Sequence, residues 1–177
     1  MEILIEQQDI QQRVKELAEE ITSNHVNTGG YLPPVMICLL NGAFMFFTDL
    51  LRNIVIDTQC EFIRLKSYAG QDNSGGVEVI KGIELSLKGR DVYIVDDICD
   101  SGATILETLF MVNSHVPRSV HVVTLLKRKG GTALTDFCGF EIGDEWVYGY
   151  GLDDNGMKRS QESIWKKTDG ISVNRIR

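Results

Sequence analysis

Asp96, Asp97 and Asp100 place carboxylates directly beside Ser101, Gly102, Ala103 and Thr104. The segment they share, VYIVDDICDSGATI over residues 92–105, runs from an apolar stretch through the acids and a tight turn into a helical pattern of Ile105, Leu106, Leu109 and Phe110. A turn of this kind offers successive backbone N–H groups at the positive end of a helix, with two hydroxyls and a glycine that permits close approach, which suits a phosphate monoester. The neighbouring carboxylates would repel a bare anion unless they meet hydroxyls, a metal ion or a proton. A ligand carrying sugar hydroxyls next to a phosphate satisfies both demands.

The elements that must position these groups follow from the hydrophobic pattern. Val92 to Val95 is an unbroken apolar run, as expected of a strand buried on both faces of a parallel sheet, and ligands bind beyond the carboxyl ends of such strands. An amphipathic helix is predicted early, with Ile10, Val14, Leu17, Ala18 and Ile21 on one face and Asp9 and Gln12 as a capping pair. Val35 to Leu40 reads as a second buried strand, leading through Asn41-Gly42-Ala43 into an aromatic helix containing Phe44, Phe46, Phe47, Leu50 and Leu51. Residues 54–66 form a further strand, followed by a polar stretch that is either a solvent loop or an active-site lid. Val77 to Ile80 and the alternating Ile83, Leu85 and Leu87 predict return strands, and Ser119 to Leu126 a third apolar strand ending in Lys127-Arg128-Lys129.

At 177 residues and 43% apolar content, the chain can bury a sizeable core as one domain, 1–177. A net charge of -7 disfavours a nucleic-acid-binding face. No apolar run reaches membrane-spanning length and the acidic opening is unlike a secretory signal, so a cytoplasmic protein is expected. Cys38, Cys60, Cys99 and Cys138 lack zinc-site spacing; Cys38 and Cys60 read as packing residues, and the acidic neighbours of Cys99 speak against a nucleophilic role.

The central segment resembles the ribose-phosphate signature of the type I phosphoribosyltransferases, in which a hydrophobic strand leads to two acids and then D-[ST]-G-x-T. Asp96 stands where Glu is frequent and Ser101 where Thr is common. The resemblance extends through FIRLKSY, where Ser67-Tyr68 would begin a mobile loop of about residues 67–76, to Lys127 in a V-K-R-like setting and to the closing stretch GFEIGDEWVYGYGLDDNGMKRS. It implies an α/β fold with a central, mostly parallel sheet flanked by helices and a small purine-binding hood, mainly 138–177.

For the site, the resemblance to the hypoxanthine-guanine branch implies that Asp96, Asp97, Asp100, Ser101, Gly102, Ala103 and Thr104 bind the phosphoribosyl group. Leu40, Asn41, Gly42, Ser67, Tyr68 and Arg159 would contact pyrophosphate, although Asn41 replaces a frequent Lys or Arg. Ile98, Lys127, Trp146, Val147 and Asp153 would surround the purine, Asp96, Asp97 and Asp153 would associate with Mg2+, and Asp100 would be the general base. Standing alone, Trp146 reads more readily as a core aromatic of a strand, and three further family positions at matching spacing reverse that reading. The implied partners are phosphoribosyl pyrophosphate and 6-oxopurine bases, with neither nucleic acid nor membrane, in a homodimer or homotetramer. Two rival readings are a phosphoacceptor receiver domain, whose acid pair belongs on the first strand, and a regulator of the same fold that senses nucleotides and binds nucleic acid.

Overall fold

A computed structural model describes residues 1–68, 76–130 and 134–167. Its elements are β1 (Glu2–Ile5), α1 (Gln7–Asn27), β2 (Val35–Leu40), α2 (Phe44–Asn53), β3 (Gln59–Tyr68), β4 (Gly76–Lys81), β5 (Asp91–Cys99), α3 (Ala103–Asn113), β6 (Ser119–Arg128), β7 (Phe137–Ile142), β8 (Val147–Tyr148) and β9 (Ile164–Lys166). Six strands form the central sheet in the order β4-β3-β2-β5-β6-β7. All neighbours are parallel except the edge pair β3 and β4. The α/β architecture expected from the sequence is therefore present.

Strand alternation divides the core between the two faces of this sheet. Met36, Cys38, Tyr93, Val95, Val123 and Leu125 face α1 and α2, whereas Val35, Ile37, Leu39, Ile63, Val92 and Ile94 pack with Val112 of α3 and with Leu87. All five apolar residues predicted for α1 are fully buried, each contributing roughly 1.5–3 kcal/mol for the larger side chains. The predicted cap is displaced: α1 starts at Gln7, so Asp9 lies in its first turn and Gln12 bonds Glu16 at 2.9 Å. Tyr93 completes the packing by donating its hydroxyl to Asn24 Oδ1 at 2.8 Å.

The chain order locates a crevice. From β2 the chain passes to β3 on one side, then crosses over β2 to β5 and continues to β6 and β7 on the other. The switch falls between β2 and β5, whose carboxyl ends carry Leu40 and the Asp96-Asp97 pair. Ligands of open α/β sheets bind at such a point.

Other expectations shift in detail. Ile83, Leu85 and Leu87 form no strand but still pack on the second core. Glu61, 5% exposed, holds their segment by accepting hydrogen bonds from the amides of Glu84 and Leu85 at 2.8 and 2.9 Å and from Lys81 at 2.9 Å. β3 continues through Tyr68 and pairs with β4 from Gly76, so the ends of the expected 67–76 loop are strand. Residues 69–75, and the side chains of Ser67 and Tyr68, lie outside the described residues, as do residues 168–177 of the expected hood. β7 belongs to the central sheet, and the small second sheet, β1-β9-β8, recruits the amino-terminal strand. Cys60 is exposed on β3 rather than packed.

Candidate active site

Asp96 and Asp97 lie within the final residues of a strand, and Asp100 follows directly after it. β5 continues to Cys99, with Asp96, Ile98 and Cys99 in ladder register with Thr124, Leu126 and Lys127 of β6. This gives the carboxylates a rigid base. Asp96 Oδ1 accepts the Asp97 amide at 3.0 Å and Asp97 Oδ1 accepts the Ile98 amide at 2.9 Å. Burial, and then the charge of Asp97, lifts the Asp96 carboxyl well above its ordinary value; burial also lifts Asp97 against the opposing pull of hydrogen bonds and of Arg159. Two adjacent acids held this way favour a proton, a cation or donating hydroxyls.

Below them, burial and then the same two acids push the Cys38 thiol up to about 12, so it is an inert packing group. Cys99 is likewise buried, against Ile105 and Val122.

Beyond β5 the chain turns at once into α3, which begins at Ala103. Gly102 adopts φ 78°, which a β-carbon would strain, and directs the chain into α3. The Ala103 amide is 3.4 Å from Ser101 Oγ. A small pocket of about 80 Å3 is lined by Asp96, Ile98, Cys99 and Asp100 to Ile105.

Across the switch point, the Leu40-Asn41 peptide is cis, and Gly42 follows it. A β-carbon on Gly42 would collide with the Asp97 carboxylate, and one on Gly151 would collide with the Gly42 carbonyl. The 40–42 loop is thus clasped between the acid pair and the segment after β8. Gly151 in turn accepts Arg159 Nη1 at 2.7 Å, while Arg159 Nη2 pairs with Asp153 Oδ1 at 2.7 Å. Tyr150 fastens this segment to α2 by donating to Asp49 Oδ2 at 2.6 Å. Leu40, Asn41, Gly42, Asp97, Asp153 and Arg159 therefore belong to one neighbourhood.

Lys127, the residue before the end of β6, lies opposite Cys99 and 4.0 Å from Glu141. Ile98 is half-buried, and Val147 of β8 is buried with its strand paired to β9. Trp146 is 54% exposed, which excludes the core-aromatic reading. Asp100 extends from the turn with its side chain 74% exposed, and its Oδ1 lies 3.3 Å from Arg128 Nε. The sequence reading did not single out Arg128; a basic residue next to Lys127 was its one available signal.

The three acids expected to serve a metal do not form a single cluster. Among the described residues no group of three or more His, Cys, Asp and Glu side chains is arranged to hold an ion. Asp153 is directed to Arg159 and, through Oδ2, to the Gly156 amide at 2.7 Å. The Asp96-Asp97 pair still fits Mg2+, which keeps waters and phosphate oxygens and needs only one or two protein carboxylates.

Comparison with known proteins accounts for this arrangement. A family model described as phosphoribosyl transferase domain matches residues 3–155. A hypoxanthine-guanine-xanthine phosphoribosyltransferase of Tritrichomonas foetus is 34% identical over 89% of this chain and 86% of its own. The hypoxanthine-guanine phosphoribosyltransferase of Bacillus subtilis is 37% identical over 85% of this chain and 84% of its own. The solved hypoxanthine phosphoribosyltransferase of Trypanosoma cruzi, in complex with its product IMP, superposes with a TM-score of 0.84 at 31% identity, covering 93% of this chain and 92% of that one. With a strand, acid pair and glycine turn at the switch point of a matching fold, the chain belongs to the phosphoribosyltransferase family, among the hypoxanthine-guanine phosphoribosyltransferases.

Proposed function

We propose that the protein transfers the 5-phosphoribosyl group of phosphoribosyl pyrophosphate to N9 of hypoxanthine and guanine, releasing pyrophosphate and forming IMP or GMP in purine salvage. The observation that carries this reading is the crevice between β2 and β5, where the small pocket of the 100–105 turn adjoins an acid pair that a glycine loop abuts.

The 5-phosphate occupies the 101–104 turn, held by amides at the start of α3 and by the Ser101 and Thr104 hydroxyls. Asp96 and Asp97 accept the ribose hydroxyls, which supply the donors that two buried acids require. The 40–42 loop, Ser67-Tyr68 and Arg159 hold pyrophosphate. The purine stacks on Trp146 above Ile98, with its 6-oxygen at Lys127 and its edge at Val147 and Asp153. When bound through Asp96, Asp97 or Asp153, Mg2+ supplies electrostatic stabilisation to the departing pyrophosphate.

As the bond from C1 to pyrophosphate lengthens, Arg159 stabilises the leaving anion and the acid pair tolerates positive charge on the ribose. Asp100 accepts the N7 proton as N9 attacks, a role its exposed position at the pocket mouth permits. A cytoplasmic setting agrees with cysteines that are not joined in a disulfide among the described residues, and we assign a homodimer or homotetramer by the family resemblance. A nucleic-acid-binding regulator of this fold gains no support from the relatives, which carry enzyme names.

The test is pyrophosphate release with hypoxanthine, phosphoribosyl pyrophosphate and Mg2+, using adenine and uracil as controls. Asp100→Asn is expected to lower kcat on the order of 100-fold or more with small changes in KM. Release with no preference for 6-oxopurines would overturn the substrate assignment, and unchanged kcat would remove Asp100 from its role.

A further inference from the structure

We propose that Arg128 is a positioning residue that sets the general base, Asp100, in register with the purine-stacking segment. The inference rests on the reading of Asp100 as the base. Arg128 is the last residue of β6, one position beyond the final ladder pair of Cys99 with Lys127, and Asp100 is the matching next residue after β5. Its side chain is 17% exposed, whereas that of Asp100 is 74% exposed.

The guanidinium reaches three groups. Nη1 donates to the carbonyls of Gly143 at 2.6 Å and Glu145 at 3.2 Å, the turn that delivers Trp146, and Nε lies 3.3 Å from Asp100 Oδ1. No other described contact ties the base directly to the turn before Trp146.

An exposed ion pair usually contributes little because two long side chains must be ordered. Here the two carbonyls already hold the guanidinium, so the pairing costs Asp100 alone its freedom. The planar fork matters: a lysine ammonium is a point charge that cannot span carboxylate and carbonyls with the same geometry. By engaging one carboxylate oxygen, Arg128 orders Asp100 while leaving a second oxygen to accept the proton. Because the anchor points precede Trp146, a purine stacked on that ring is placed relative to Asp100 through one side chain. A displacement of about 1 Å in such a constellation can cost on the order of 100-fold in rate.

The alternative is that Arg128 only braces the 143–145 turn. Kinetics separate the two. Arg128→Met is expected to lower kcat roughly 10- to 100-fold, with KM for phosphoribosyl pyrophosphate within about twofold of wild type. Arg128→Lys should recover part of the loss, and added guanidinium should restore Arg128→Met selectively. Introduced into Asp100→Asn, Arg128→Met should cost less than about threefold further, because the group it orders is no longer a base.

Equal losses in the wild-type and Asp100→Asn backgrounds would show a brace alone and overturn the proposal, as would unchanged kcat in Arg128→Met. Full kcat in Asp100→Asn would instead bring down the base assignment, and this inference with it. Circular dichroism and melting temperature establish that each variant is folded; if Arg128→Met is not, Arg128→Lys carries the same cycle.

Discussion

Glu61 permits a quantitative test of how the scaffold beside the site is held. Its carboxylate is buried on β3, a side chain only 6% exposed. Burial would raise its pKa, but hydrogen bonds from Lys81 and from the amides of Phe62, Glu84 and Leu85 outweigh that and bring it from 4.5 down to about 2. A depressed folded-state value means the stabilisation is fully present above the unfolded pKa and is lost as pH falls from about 4.5 toward 2. At about 1.4 kcal/mol per pKa unit the difference corresponds to roughly 3 kcal/mol. Lys81 is 38% exposed, so solvent screening reduces the expected contribution to about 2 kcal/mol. Glu61→Gln keeps the shape and one acceptor but removes the charge. In thermal denaturation near about pH 7 it should lower Tm by roughly 4–8 °C. Near about pH 2 wild type and variant should converge. A Tm difference of the same size at both pH values would refute the charge-based reasoning and leave only lost packing or hydrogen-bond geometry.

Asp96 is the opposite case: burial and the neighbouring Asp97 lift its carboxyl, so its ionisation opposes folding as pH rises through the lifted value. Asp96→Asn should therefore raise Tm near neutral pH by a few degrees, roughly 2–4 °C per kcal/mol relieved, while reducing transferase activity. A lower Tm in that variant would show that the native carboxylate is better compensated than its surroundings imply. Gly42→Ala places a methyl group against the Asp97 carboxylate. We expect activity to fall on the order of 100-fold, with Asp97 or the 40–42 loop displaced in a crystal structure; wild-type activity would show that the clasp yields freely.

Much of the local structure around the candidate site was legible in the chain because its determinants are local. The unbroken apolar run before Asp96 dictates a buried strand, and the Asp100-Ser101-Gly102 turn dictates where α3 begins, since a left-handed glycine and free amides are properties of contiguous residues. The five-residue apolar face of α1 was equally readable from helical spacing. Local evidence misjudged ends: the acids proved to be strand because β6 pairs with them as far as Cys99, and a ladder partner cannot be inferred from one segment.

The sequence by itself determined the strand, the acid pair, the glycine turn and the order in which they occur, because each is specified by neighbours in the chain. Only the tertiary structure decided that Gly42 lies between Asp97 and Gly151, that Trp146 is exposed, and that Arg128 joins Asp100 to the turn before the tryptophan. Those relations arise where strands distant in sequence end at one edge of the sheet. Side-chain periodicity records which face a residue occupies, and carries no record of what it will meet there.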